Sequence, residues 1–141
     1  MITSLLYVSQ SSLKLPQEFE EIDKILQVAQ ERNQRLDVTG MLTFTEARFA
    51  QVLEGPPAHV EGLVARIAGD PRHRDVTVVR RIEVEERSFP DWAMGFNGTS
   101  PVIDRQIKPL LQQGNSEERI RDLAERLMGL MVELGVRCRA G

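Results

Sequence analysis

Three side chains capable of proton or electron chemistry fall on strand-like segments where such groups are costly to place. Tyr7 sits in Leu5-Leu6-Tyr7-Val8-Ser9, Gln51 in Phe49-Ala50-Gln51-Val52-Leu53, and Trp92 in Trp92-Ala93-Met94-Gly95-Phe96. The two-residue period of a strand puts Leu5, Tyr7 and Ser9 on one face, Phe49, Gln51 and Leu53 on one face, and Trp92, Met94 and Phe96 together. One tyrosine, one glutamine and one tryptophan can therefore share a largely apolar sheet face. A carboxamide between Phe49 and Leu53 is expensive to bury unless both its ends find partners, so either a turn satisfies Gln51 or a polar ligand does.

The other reactive groups are poorly placed for common chemistries. Asp70 and His73 have plausible spacing for a metal, but they lie where a helix-terminal loop is expected and have no third clear ligand; a loop held by side-chain hydrogen bonds is the simpler reading. The single cysteine, Cys138, lies near the C-terminus and forms neither an internal disulfide nor a multi-cysteine site. No Gly-x-Ser-x-Gly elbow or glycine-rich phosphate loop is present. Glu46 and Glu54 offer carboxylates, yet Glu54 precedes Gly55-Pro56-Pro57 and is expected to cap or anchor that turn.

The elements that position these residues follow from periodicity. Ile2 to Ser9 reads as a first strand, and Pro16 to about Asn33 as a helix with Phe19, Ile22, Ile25, Leu26 and Ala29 at helical spacing. Thr39–Thr45 and Arg48–Leu53 read as a hairpin, followed by a helix opened by Pro56-Pro57 and closed at Gly69-Asp70-Pro71. Val76–Val84 and Asp91–Phe96 complete the strands. The order βαββαββ predicts an α/β (α+β) ferredoxin-like domain with a five-stranded mixed sheet and two core helices on one face. Residues 1–98 form that domain and residues 99–141 a C-terminal helical extension. In the extension, Gln106–Gln113 has a weak helical pattern interrupted by Pro109, and Glu117 to about Leu134 has a strong one. The stripe from Ile120 to Leu134 is wide enough to pack on the second face of the sheet or on another subunit.

Composition bounds the function. At 141 residues, with 41% hydrophobic and 28% charged residues, the chain suits one soluble domain. Eighteen Lys and Arg against 21 Asp and Glu give a charge of −3, and no basic run points to nucleic acid or anionic membrane. No apolar stretch reaches the roughly 18 residues of a membrane span, and Met1-Ile2-Thr3-Ser4 has no charged signal-peptide region, so a cytoplasmic location is expected.

Five segments, in order along the chain, resemble the successive motifs of the BLUF family, sensors of blue light using FAD. They are Leu5-Leu6-Tyr7-Val8-Ser9; Asn33 with Val38-Thr39-Gly40-Met41-Leu42; Phe49-Ala50-Gln51-Val52-Leu53-Glu54-Gly55; Asp70-Pro71-Arg72-His73; and Arg87-Ser88-Phe89-Pro90-Asp91-Trp92-Ala93-Met94-Gly95. The resemblance covers roughly Met1 to Gly98. It implies a photoreceptor and not an enzyme, with non-covalent FAD between the two core helices and the sheet. Carried over motif by motif, Tyr7 is the redox-active phenol, Gln51 the amide bridging phenol and flavin, and Asn33 the amide holding the flavin's polar edge. Arg32, Arg72 and His73 are further candidates for flavin carbonyl or ribityl contacts, and Trp92 and Met94 resemble the alternative neighbours of the glutamine.

The residue types suit that role. Excited flavin is a strong oxidant, a phenol supplies an electron and a proton, and a carboxamide can exchange its donor end for its acceptor end without leaving. A Gln51 left rotated or tautomerised by light would strengthen a hydrogen bond to the flavin C4 carbonyl and shift absorption to the red. Two positions depart from the family pattern: Ala29 stands where relatives often have serine, and Glu46-Ala47-Arg48 replaces an Asp-Gly-like hairpin tip. The chain has no room for an attached cyclase, phosphodiesterase or kinase, so signalling is expected to pass to a separate protein or through a homo-oligomer. A small flavoenzyme such as a reductase, and a light-insensitive regulatory module of the same fold, are the competing readings.

Overall fold

The first apolar run becomes β1 (Ile2–Ser11), buried along nearly its whole length. In the computed structural model, which describes residues 1–13, 19–90, 95–98 and 101–140, it is followed by α1 (Phe19–Arg35), β2 (Thr39–Phe44), β3 (Arg48–Gly55), α2 (Pro57–Ala68) and β4 (His73–Val84). The strands lie in the order β4-β1-β3-β2, each antiparallel to its neighbour, and β5 (Gly95–Gly98) runs parallel to β2 on the far side. The architecture is α+β.

Two layers of helix cover this sheet, and strand periodicity decides which residues meet which layer. Leu5 and Tyr7 of β1, Leu42 and Phe44 of β2, and Phe49 and Leu53 of β3 pack with Ile22, Leu26 and Ala29 of α1 and Val60, Leu63 and Ile67 of α2. The intervening residues, Leu6, Val8, Met41, Ala50 and Val52, form a second core with α3 (Pro101–Leu110) and α4 (Glu117–Ala140). Because β1 and β3 are central and covered on both faces, they read as nearly continuous apolar runs.

The apolar stripe of α4 is therefore consumed within the chain. Leu123, Ala124, Leu127, Met128 and Met131 are buried against the second face, with Ile120, Leu130 and Leu134 partly buried beside them. A fully buried Leu or Met contributes about 1.5–3 kcal/mol. The Arg80–Glu125 pair that also links α4 to β4 has a half-exposed carboxylate and contributes at most about 1 kcal/mol. Packing, not charge, holds this helix. α3 is tied to the hairpin by Asp104, which accepts from both Thr45 Oγ1 (2.7 Å) and Arg48 Nη1 (3.0 Å).

Several boundaries differ from the periodicity. α1 is described from Phe19 and continues to Arg35, while the proposed start at Pro16 lies outside the described residues. α3 starts at Pro101, ahead of the weak pattern at Gln106, and contains Pro109 in its last turn, where loss of one amide ends the helix. β4 opens at His73 and not at Val76: the polar His73-Arg74-Asp75 lacks a strand pattern, but Ser11 and Gln10 of β1 pair with His73 and Arg74. Among the described residues no helix is long and apolar enough to cross a membrane.

Candidate functional site

Register brings the phenol and the carboxamide together. Tyr7 and Gln51 are direct cross-strand partners on β1 and β3, with Leu42 of β2 next in the same row. Both side chains point to the α1/α2 face and both are almost fully buried. The Tyr7 hydroxyl donates to Gln51 Oε1 in a short hydrogen bond. Burial pushes the Tyr7 pKa well above the ordinary phenol range, Asp70 raises it further and Arg32 opposes the rise. Tyr7 is a neutral phenol whose proton already lies on the line to the amide oxygen.

His73 lies on the same face. The β1–β4 register shifts between Val8 and Gln10, and Asp75 opposite this irregularity adopts φ 55°, a conformation uncommon for a non-glycine residue. His73 Nδ1 lies 2.9 Å from the Ser9 hydroxyl. Its ring stands edge-on to Tyr7, with centroids 6.0 Å apart, and is tilted against Phe49 at 4.5 Å. Burial lowers the His73 pKa to about 4; Asp70 opposes that shift and Arg72 adds to it. The imidazole is neutral at physiological pH.

Asn33 extends the buried stripe of α1, four residues beyond Ala29, and is fully buried. Its position is fixed by the end of the helix: Leu36 and Val38 N–H groups both donate to the Asn33 carbonyl, and Asp37 takes φ 56° to turn the chain into β2. Arg87 clamps this turn from the other end of the domain, donating to the Asp37 carbonyl (2.8 Å), Thr39 Oγ1 (3.0 Å) and the Glu54 carbonyl (2.9 Å). Arg32, beside Asn33, has its pKa lowered by burial and by Arg66 on α2, with Tyr7 opposing. A second cation, Arg66, thus acts on Arg32 from α2.

Of the remaining candidates, Arg72 and Glu54 have hydrogen-bond partners within the chain. Arg72 grips Asp70 through Nη2 at 2.7 Å and Nε at 3.0 Å, and pairs with Glu21 of α1 at 3.8 Å. The Arg72 hydrogen bond holds the Asp70 carboxyl below its usual pKa. Glu54 does not anchor the Gly55-Pro56-Pro57 turn; its Oε1 accepts from Phe89 N–H at 2.9 Å, because its side chain points to the second face where Phe89 is buried. Trp92 and Met94 lie outside the described residues. Sequence reasoning assigned no role to Ser9, Arg66 or Arg87. Ser9 and Arg87 stood within the quoted motifs without a role of their own, and nothing local marked Arg66.

The donor set fits a flavin. Tyr7, Gln51 and Asn33 place a hydroxyl and two carboxamides, all buried, between α1, α2 and the sheet, and an isoalloxazine edge of alternating carbonyl and N–H groups needs partners that both donate and accept. Arg32 and Arg66 supply positive charge at the same helix pair, and the apolar wall of Leu5, Leu42, Phe44, Phe49 and Leu53 suits an aromatic ring. Among the described residues no group of three potential metal ligands occurs.

Comparison with known proteins gives a consistent result. The family described as sensors of blue-light using FAD matches residues 2–95. The photoactivated adenylate cyclase subunit beta of Euglena longa is 35% identical over 94 residues, 66% of this chain and 11% of that protein. The blue light- and temperature-regulated antirepressor of Escherichia coli strain K12 is 36% identical over 76 residues, 54% of this chain and 18% of that one. The chain thus spans only a small part of these relatives' length. Among solved structures, BlrB, a BLUF protein in its dark state, superposes with a TM-score of 0.68 at 27% identity, covering 90% of this chain and 94% of that one. A bacterial light-regulated adenylyl cyclase matches at 0.64 and 32% identity over 78% of this chain and 33% of its own. BlsA in its photo-activated state matches at 0.75 and 22% identity over 94% and 95%, a likeness of fold.

Proposed function

The chain belongs to the family of sensors of blue light using FAD, and from that premise we propose that Tyr7 and Gln51 form its light-driven switch, with Asn33, Arg32 and His73 as further flavin-holding residues. Bound FAD supplies blue-light absorption and, once excited, an oxidant strong enough to draw an electron from a phenol. The observation that carries the reading is the buried hydrogen bond from the Tyr7 hydroxyl to Gln51 Oε1. Tyr7 would give up its electron and pass its proton along that bond to Gln51 Oε1. The return of both would restore the neutral phenol while leaving the amide with its donor and acceptor ends exchanged or its tautomer changed, so that Tyr7 meets a different hydrogen-bond partner in the lit state. No bond to a substrate forms or breaks, which makes the chain a sensor and not an enzyme.

The reading treats residues 1–98 as the flavin-binding unit, a ferredoxin-like sheet closed by β5, and 99–141 as its helical extension. Trp92 and Met94 complete the surroundings of Gln51 in this scheme, and Arg72, which pairs with Asp70, is a further candidate for a flavin carbonyl or ribityl contact. One rearranged hydrogen bond is worth about 0.5–1.5 kcal/mol and shifts a two-state equilibrium only a few-fold to tenfold. A separate downstream protein, or several copies responding together, is needed to amplify it. Since the α4 stripe packs on its own sheet, a homo-oligomer has to use another surface. The relatives that are cyclase subunits or an antirepressor support signalling through an effector. The deciding experiment is an absorption spectrum of the FAD-loaded protein before and after blue illumination. A red shift that reverses in the dark is expected, and a static spectrum with NAD(P)H turnover would replace the sensor by a reductase.

A further inference from the structure

We infer that Ser9 is a positioning residue for the switch: its hydroxyl donates to His73 Nδ1 and so fixes the imidazole beside Tyr7 as the Nε2–H tautomer. The argument is one of counting hydrogens. Ser9 is fully buried, and among the described residues His73 Nδ1, 2.9 Å away, is its side chain's partner. A serine hydroxyl can donate or accept. Were Nδ1 protonated and donating to Ser9 Oγ, the serine hydrogen would be left buried with no acceptor among the described residues, a cost that donation to a bare Nδ1 removes. A ring turned over by 180° would set the same hydroxyl against carbon. Both alternatives leave a buried polar hydrogen unmet.

The other histidine provides an opposite case within the same molecule. His59, exposed on α2, places Nδ1 2.7 Å from the Leu36 carbonyl oxygen. A carbonyl only accepts, so His59 carries its proton on Nδ1. The two histidines of the chain are thus assigned opposite tautomers for stated reasons. At His73 the consequence is a neutral ring, held against Tyr7 and Phe49, whose one donor is Nε2–H. That donor suits an acceptor such as a flavin carbonyl or ribityl oxygen, and this last step alone rests on the sensor reading. The β4 irregularity at Asp75, fastened by Thr77 Oγ1 donating to the Asp75 carbonyl at 2.9 Å, leaves His73 paired with Ser11, two residues along β1 from Ser9, and its ring reaches the Ser9 hydroxyl.

The test is ring-nitrogen NMR of the 15N-labelled, FAD-loaded protein in the dark, with His59→Gln used to assign the two rings. The expected pattern is Nδ1–H for His59 and Nε2–H for His73. Ser9→Ala is expected to move the His73 tautomer ratio about three- to tenfold toward Nδ1–H, the equivalent of one net hydrogen bond, while Ser9→Thr retains the wild-type pattern. Nδ1–H at His73 in the wild type, or an unchanged ratio in Ser9→Ala, overturns the assignment. If Ser9→Ala does not fold, the wild-type tautomer decides alone. A spectrum of the same sample under blue light separates the two claims: absence of a red shift with His73 as Nε2–H removes the sensor reading and leaves the Ser9 assignment standing.

Discussion

The two faces of the sheet are built from alternate residues of the same strands, yet they treat buried polar groups in opposite ways. On the α1/α2 face the polar atoms come in matched pairs: Tyr7 with Gln51, and Ser9 with His73. On the α3/α4 face the Ser4 and Thr43 hydroxyls and Glu54 Oε2 are buried with no hydrogen-bond partner among the described residues. An orphaned group costs roughly 1–3 kcal/mol, a matched pair returns about 1. The first face spends apolar area to create a responsive polar array. The second, packed against Leu127, Met131, Ile103 and Ile107, supplies the stability that lets the first be polar.

The largest effect expected from breaking this contrast is at the matched pair. Tyr7→Phe and Gln51→Leu each remove one half, and each should retain bound yellow flavin while losing the reversible red shift entirely. Difference spectroscopy under blue light checks this, and a normal photocycle in either variant would remove the roles assigned to them. On the opposite face, Leu127→Ala should cost about 2–5 kcal/mol in urea unfolding, from lost burial and the cavity left behind. The red shift should survive it, since no polar pair is touched.

A smaller effect comes from His73. Its folded pKa of about 4 lies below the unfolded value near 6.5, so between these values the unfolded chain binds the extra proton. Stability is therefore fully present above pH 6.5 and declines as pH falls toward 4, by up to about 3 kcal/mol. The charged groups acting on the ring are Asp70, which favours the proton, and Arg72, which disfavours it. Chemical denaturation at pH 4.5 and 7 should show this slope, and His73→Leu should flatten it. Smallest of all is Thr43→Val, which deletes a hydroxyl without a partner among the described residues at nearly constant volume. It should be neutral or stabilising by about 1 kcal/mol, in contrast to Ser9→Ala on the matched face.

Much of this was legible along the chain, for local reasons. Alternation in Leu5-Leu6-Tyr7-Val8-Ser9 and Phe49-Ala50-Gln51-Val52-Leu53 assigned each side chain to a face before any contact was known. Helical spacing from Ile22 through Ala29 leads on to Asn33, and the stripe of α4 announced a buried surface, though not which surface. His73 was misplaced in a loop because its neighbours Arg74 and Asp75 carry no strand pattern; only pairing with β1 makes them one. Glu54 was assigned to a turn because the Pro56-Pro57 signal is local, whereas its hydrogen-bond partner Phe89 lies 35 residues away.

By itself, the sequence determined which residues share a face, where the helices bury their stripes, and which family motifs recur in order. Face and stripe follow from backbone periods of 2 and 3.6, which neighbouring residues set without reference to the rest of the molecule. The tertiary structure decided that Tyr7 stands opposite Gln51, that a shift in register delivers His73 to Ser9, and that Arg87 reaches across to hold the end of α1. Those outcomes depend on how segments far apart in the chain align when their backbone hydrogen bonds and cores are satisfied together, and no local pattern encodes that alignment.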